Sequence, residues 1–123
     1  MEMARGDDIQ ERLIHFAAGI IKVSNSLFST PSGKHIAGQL LRSGTAPAAH
    51  YAEACNAESP GDFIHKLKIA VKELNESKVW LRILIAAEMR TQDQLGPLLD
   101  ECEQLQRILN ASIKTARKNA AQR

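Results

Sequence analysis

The sequence predicts an all-α protein, an antiparallel up-and-down four-helix bundle with a kinked or broken second helix. Apolar residues recur at spacings of three and four over long stretches, which is the pattern of amphipathic helices. Aromatic residues make up only 4% of the chain, and no run alternates Val, Ile or Thr with polar residues, so a β-sheet is not expected. The length of 123 residues suits a single domain, residues 1–123, with one hydrophobic core.

The first helix is expected over residues 8–28, where Asp7 or Asp8 can cap its free amides. One apolar face carries residues at helical spacing: Ile9, Leu13, Phe16, Ala17, Ile20, Ser24 and Leu27. A second, smaller apolar row consists of Ile14, Ile21 and Phe28. This row is expected to widen the buried stripe beyond what one partner helix requires.

The second helix is expected over residues 31–57, with Thr30 as its N-cap and Pro31 at its first position. Small residues crowd this segment, and they allow another backbone to come close: Ala37, Gly38, Ser43, Ala46, Ala49 and Ala54. Pro47 removes one backbone hydrogen bond and clashes with the carbonyl four residues earlier. We therefore expect a kink or a short break near residues 43–46.

The third helix is expected over residues 61–89, capped by Ser59 or Gly61. Its buried seam follows a near-heptad rhythm: Phe63, Leu67, Ala70, Leu74, Ser77, Leu81 and Leu84. Residues 79–87 are apolar nearly all round except for Arg82. A helix that is apolar on every side must be covered on every side, which predicts a subunit interface with Trp80 as its anchor.

The fourth helix is expected over residues 96–118. Thr91 and Gln94 have the spacing of a capping box, but Gly96 and Pro97 would disrupt a helix that had already begun there. A start at Gly96 is therefore expected. The apolar seam that follows is regular: Leu95, Leu98, Cys102, Leu105, Leu109, Ser112 and Ala116.

Composition and charge exclude several classes of protein. No apolar run reaches membrane-spanning length, and the acidic start does not resemble a signal peptide, so a cytoplasmic protein without a membrane partner is expected. Cys55 and Cys102 are too few for a zinc site or a disulfide framework. Net charge is only +2, yet residues 111–123 carry four basic residues and no acidic one. Such a segment either attracts nucleic acid or complements a helix dipole.

No catalytic constellation is visible in the sequence. His50 lies three residues before Glu53, and His65 lies three after Asp62. Either pair could act as an acid–base couple, or it could be an ordinary surface pair. The four histidines show no metal-ligand spacing with one another or with the cysteines. We therefore expect no catalytic residue, no metal, no cofactor and no enzymatic activity.

Basic residues on the third helix and near the C-terminus are candidates for phosphate contacts. The nucleic-acid-binding candidates are Arg42, Lys66, Lys68, Lys72, Arg117 and Lys118. Acidic residues interleave with the lysines, a pattern that is also typical of a solvated helix face. No aromatic residues are placed to stack on bases, so both interpretations stay open.

Residues 39–81 resemble a known family. The matching positions are Gln39, Leu40, Arg42, Ser43, Thr45, Ala49, Glu53, Ala54, Asp62, Phe63, Ile64, Lys66, Leu67, Ile69, Ala70, Lys72, Glu73, Glu76, Trp80 and Leu81. They are similar to the bacterial four helix bundle proteins, also called the 23S ribosomal RNA intervening-sequence protein family. In layout the resemblance extends over about residues 9–117. Many family members have a second basic residue where this chain has Leu41.

The resemblance implies a homo-oligomer. The family includes the accessory variability determinant of diversity-generating retroelements, which forms a pentameric ring and binds nucleic acid and a reverse transcriptase. A ring, an RNA or DNA partner and a reverse transcriptase partner are therefore expectations for this chain. Candidate interface residues are Arg42, Glu53, Trp80, Arg82 and Ile83, with Arg42 of one subunit pairing with Glu53 of the next. The alternative is a structural or protein-interaction scaffold with no nucleic-acid partner.

Overall fold

The computed structural model describes residues 2–122, with the side chains of residues 6 and 8–122. Its helices are α1 Glu2–Asn25, α2 Pro31–Cys55, α3 Pro60–Ala86 and α4 Gln92–Ala121. No strand occurs between residues 2 and 122, so the predicted all-α class is confirmed. None of these helices is long and apolar enough to cross a membrane.

Each helix packs against the next one along the chain, and α4 returns to pack against α1. Short connections join neighbouring helices, which is the up-and-down arrangement of a four-helix bundle. Helices α1 and α3 therefore stand at opposite corners of the bundle, as do α2 and α4. The contact between α1 and α4 is the smallest of the four helix–helix contacts.

The core confirms most of the predicted apolar faces. The largest fully buried side chains come from all four helices: Leu13, Ile20, Leu40, Pro47, Leu67, Leu74, Leu81, Leu84, Leu95, Cys102, Leu105 and Leu109. In α4 the structure buries Ile113, whereas the seam was expected to continue through Ser112. A four-residue step from Leu109 keeps the apolar Ile113 over the core, because a helix advances about 3.6 residues per turn.

Helix α2 continues through Pro47 without the break that the sequence allowed. The fixed φ of proline is compatible with a helix, and the lost hydrogen bond is the one to the carbonyl of Ser43. Pro47 is buried, as are Gly44 and Tyr51 on either side of it. Packing on both sides of the proline therefore holds the two halves of α2 in one helix.

The observed starts of α1 and α4 differ from the predicted ones. Helix α1 begins at Glu2, so Asp8 lies inside the helix rather than capping it. Helix α4 begins at Gln92, because Thr91 and Gln94 do form a capping box. The Thr91 hydroxyl accepts from the Gln94 amide at 3.2 Å, and the Gln94 side chain accepts from the Thr91 amide at 2.9 Å. Pro97 then lies in the second turn, where its missing amide affects only a carbonyl close to the helix start.

The caps of the two middle helices are as predicted. The Thr30 hydroxyl accepts from the amide of Gly33 at 3.0 Å at the start of α2. The Ser59 hydroxyl accepts from the amide of Asp62 at 3.1 Å at the start of α3. The C-terminal ends are shorter than expected, since α2 ends at Cys55 and α3 at Ala86.

Candidate functional site

Helices α2 and α3 are joined by a group of polar side chains that we call the α2–α3 polar cluster: Gln39, Arg42, Glu73, Glu76 and Trp80. The Arg42 guanidinium donates to Glu73 at 3.0 Å and also to Glu76. Glu76 accepts in addition from the indole N–H of Trp80, at 3.1 Å. The cluster holds one cation and two carboxylates, so this surface is acidic rather than basic.

Further polar contacts join α2 and α3 outside this cluster. The hydroxyls of Ser43 and Ser77 lie 2.9 Å apart in the buried layer between the two helices. Further along, Lys66 donates to Glu53 at 2.9 Å. That hydrogen bond and the lysine's charge lower the pKa of the Glu53 carboxyl. His50 Nδ1 is buried, accepts or donates no hydrogen bond among the described residues, and lies 4.0 Å from Glu53.

Two of the candidate interface residues, Arg42 and Glu53, form ion pairs within the chain. Arg42 and Glu53 were expected to meet across a subunit boundary, and the structure places each in an ion pair with α3 of its own chain. Pairing between subunits stays a prediction, but it would have to compete with these contacts. Many positions that carry the family resemblance thus lie where α2 meets α3.

The other candidate cations have different surroundings. Within residues 2–122, the exposed side chains of Lys68, Lys72, Arg117 and Lys118 make no ion pair and no side-chain hydrogen bond. Lys66 is bound to Glu53, as described above. Arg82 is exposed beside the α3–α4 groove, near Asp100 and Glu103.

In the described part of the chain, the large exposed apolar side chains fall into two patches. The first, which we call the α1 patch, comprises Ile14 (44% exposed), Ile21 (40%) and Phe28 (49%). The second, the α3 patch, comprises Val79 (45%) and Ile83 (38%). Trp80 is only partly exposed, packs against the core and meets the ring of His35 edge-on at 5.9 Å. The α1 row was expected to widen the buried stripe, and the structure instead leaves its three side chains exposed.

A groove of about 730 Å³ lies where α1 and α4 separate. Ile9, Phe63 and Ile108 give it an apolar floor, and Arg12 lies at its edge. Arg12 donates to Glu101 at 2.7 Å, and this hydrogen bond raises the pKa of the guanidinium. The pair joins residues 89 positions apart, so no local sequence signal could reveal it. Its described lining includes one carboxylate, Asp8, and two hydroxyls, Ser112 and Thr115.

No group of three His, Cys, Asp or Glu residues within the described chain is placed to hold a metal ion. Cys102 is buried, and its thiol lies 3.1 Å from the carbonyl of Leu74. Burial raises the pKa of the Cys102 thiol to about 12. Cys55 is exposed.

The two cysteines are therefore expected to react very differently. In the folded protein at pH 8, a thiol reagent such as Ellman's reagent should modify Cys55 and leave Cys102 unmodified, because the thiolate is the reactive form and Cys102 remains protonated and enclosed. In denaturant both thiols should react. Rapid modification of Cys102 in the native protein, measured with Cys55→Ser, would contradict the buried placement.

Comparisons with known proteins agree with the fold. The family model described as 23S rRNA-intervening sequence protein matches residues 7–111. A crystal structure of a protein with unknown function from the S23 ribosomal protein family of Bacteroides thetaiotaomicron VPI-5482 is similar to this chain, with a TM-score of 0.82. The two are 34% identical, and the match covers 86% of this chain and 98% of that chain. No protein of curated function matches. By its sequence over most of its length, the chain belongs to the 23S rRNA-intervening sequence protein family.

Proposed function

We propose that this protein is a non-enzymatic homo-oligomeric bundle that presents a repeated basic surface to RNA or DNA. The observation that carries the proposal is a set of exposed cations without acidic partners: Lys68, Lys72, Arg117 and Lys118. An unpaired surface cation can neutralise a phosphate without first losing an ion pair, so each contact releases a counterion. A cytoplasmic location, expected from the sequence, follows from this partner.

These cations occupy neighbouring elements. The end of α4 lies beside the connection between α2 and α3, since Ala116 and Asn119 share a groove with Ser59 and Phe63. Lys68 follows in the third turn of α3, so it belongs to the same half of the bundle as Arg117 and Lys118. The acidic α2–α3 polar cluster begins further along α3, where Glu73 and Glu76 bind Arg42 of α2. Nucleic acid is therefore proposed to contact the α3–α4 side of that half.

Self-association is proposed to use the two apolar patches. The α1 patch and the α3 patch are on helices at opposite corners of the bundle. Because α1 and α3 run in the same direction, both patches also lie toward the same end of the bundle. A contact between two different patches is heterologous, and heterologous contacts close into rings when the rotation allows.

A ring would strengthen a surface that is weak in one chain. Four cations per subunit give a modest field, whereas copies arranged around an axis sum their potentials over one continuous surface. A five-membered ring and a reverse transcriptase partner are the finer expectations from the family resemblance, and they form part of this proposal. The absence of enzymatic activity, expected from the sequence, belongs to the proposal as well.

A salt-dependent binding assay tests the nucleic-acid partner. Fluorescence anisotropy with a labelled RNA hairpin and a DNA duplex should show binding at low salt that weakens steeply as salt rises. The variant Lys68→Glu/Arg117→Glu should bind at least about tenfold more weakly, and the slope of log affinity against log salt should fall by about 2, one unit for each lost phosphate contact.

The matched control is Lys22→Glu/Lys34→Glu. Both lysines are exposed on α1 and α2, toward the opposite end of the bundle, and the change in net charge is the same. It should bind within about twofold of wild type if the proposed surface makes the contacts, since net charge alone has only a long-range, screened effect. If the intact wild-type oligomer bound neither probe at low salt, the nucleic-acid proposal would be overturned. The alternative, a structural or protein-interaction scaffold with no nucleic-acid partner, would then remain.

A further inference from the structure

Four charged residues form a straight stripe on the outer side of α4. Asp93, Asp100, Arg107 and Lys114 follow one another at every seventh position, which is close to two helical turns. All four are exposed. None of them makes an ion pair or a side-chain hydrogen bond with any residue in the described range 2–122. The stripe is therefore a charged helix face with no partner among the described residues.

The order of charges along the stripe is self-complementary. Asp93 is as far before the midpoint between Glu103 and Gln104 as Lys114 is after it, and Asp100 and Arg107 are mirrored in the same way. If two copies of α4 lie antiparallel about a two-fold axis through that midpoint, every acid of the stripe faces a base. A parallel pairing in register would instead place like charges together. The pattern selects one orientation of one partner.

The neighbouring positions permit such an approach. Gly96 and Ala111 are also mirrored about the midpoint, so small residues lie near both ends of the contact. None of the large exposed apolar side chains seen in the described chain belongs to α4. The stripe is thus separate from the α1 and α3 patches, and it remains accessible when those patches are covered.

Basic residues of α3 that lie near the stripe could compete for its acidic residues. Asp100 and Glu103 line a groove with Lys78 and Arg82 of α3, yet no ion pair of 4.0 Å or less forms there. Exposed ion pairs each contribute at most about 1 kcal/mol, and salt screens them. Two-fold symmetry repeats each pair across the contact. Because each pair is weak and is screened by salt, we expect the association through the stripe to be reversible and confined to low salt.

We propose that α4 docks antiparallel on α4 of a second copy, with Asp93 facing Lys114 of the partner subunit and Asp100 facing Arg107 of the partner subunit. The stripe joins two chains, or two rings, through a contact distinct from the apolar one. It doubles the mass of whichever assembly the apolar patches produce. At high salt that assembly separates into halves.

Charge reversal and charge swap test this pairing by sedimentation velocity at low salt. Asp100→Arg makes both members of this pair basic, and Arg107→Asp makes both acidic, and the two-fold axis repeats each clash. Each single variant should therefore lose the doubled species, with a dissociation constant at least about tenfold higher. An equimolar mixture of the two variants should regain it, because every mutated position then faces an opposite charge. The double variant Asp100→Arg/Arg107→Asp should regain it alone.

Glu58→Arg, a reversal at an exposed residue outside the helices, is the control and should leave the doubled species unchanged. The pairing is overturned if wild type shows no doubling at low salt, if both single variants associate as wild type does, or if the mixture stays separate. The double variant keeps the net charge and the four proposed nucleic-acid cations, so its RNA and DNA binding should be unaffected. Failure of the stripe and failure of the nucleic-acid surface are thereby distinguished.

Discussion

Gly44→Ala is expected to lower the free energy of unfolding by about 1–3 kcal/mol, the usual cost of overpacking a core. A Cβ at this position would lie 2.6 Å and 2.7 Å from the two γ-carbons of Ile20 and 3.0 Å from its Cβ. Ile20 is fully buried and β-branched, so its side chain has few other rotamers to adopt. The backbones of α1 and α2 would have to move apart.

Gly38→Ala provides the matched control on the same helix. A Cβ there meets nothing within 4 Å, and the position is exposed. Alanine removes backbone freedom from the unfolded chain and favours the helix, so this variant should be more stable than wild type by about 0.5–1 kcal/mol. Urea unfolding followed by circular dichroism measures both. If Gly44→Ala were as stable as Gly38→Ala, the close approach of α1 and α2 would be refuted.

Much of the bundle could be predicted because its determinants are local and periodic. Leu67, Leu74 and Leu81 recur at helical spacing, and the structure buries each of them completely. Thr30 and Ser59 precede prolines in the arrangement that begins a helix, and both act as caps. In these cases the residues that give the sequence pattern are also the ones that form the structural feature.

Two predictions depended on local signals that disagree. At Pro47 the sequence predicts a kink or a short break; the structure shows no break, because burial of the surrounding residues keeps α2 one helix. At Thr91 the capping box and the Gly96-Pro97 pair pointed to different starts, and the capping box prevails because Pro97 is tolerated near a helix start. The outcome in each case depends on packing that no short window of sequence contains.

The polar contacts could not be predicted because they join distant parts of the chain. Arg42 lies 31 residues from Glu73, so its position on a helix face gave no sign of its partner. The same residue could be read as a phosphate ligand or as an interface residue. The structure shows that it holds α2 against α3, which leaves the nucleic-acid proposal to the cations that have no partner.

Trp80 and Ile83 are expected to play different roles: Trp80 stabilises its own chain, whereas Ile83 is available for a contact between chains. Trp80 packs partly against the core, meets His35 and donates to Glu76. Trp80→Ala is therefore expected to lower the free energy of unfolding by about 2–3 kcal/mol, less than for a fully buried tryptophan. Ile83 is among the exposed apolar residues, so Ile83→Glu should change stability by no more than about 0.5 kcal/mol.

For self-association the order of effects is expected to be reversed: Ile83→Glu should disrupt the oligomer although it hardly changes stability. Light scattering of Ile83→Glu at micromolar concentration and moderate salt should give the mass of one chain, because a charge buried in the apolar contact without a partner costs more than the contact provides. Glu58→Arg, which reverses an exposed charge in the connection before α3, at the opposite end of that helix from the α3 patch, should keep the wild-type mass. Trp80→Phe should keep both the mass and most of the stability. A monomeric wild type, or an Ile83→Glu variant that still assembles, would remove the α3 patch from the interface, because a charge introduced into an apolar contact must weaken that contact.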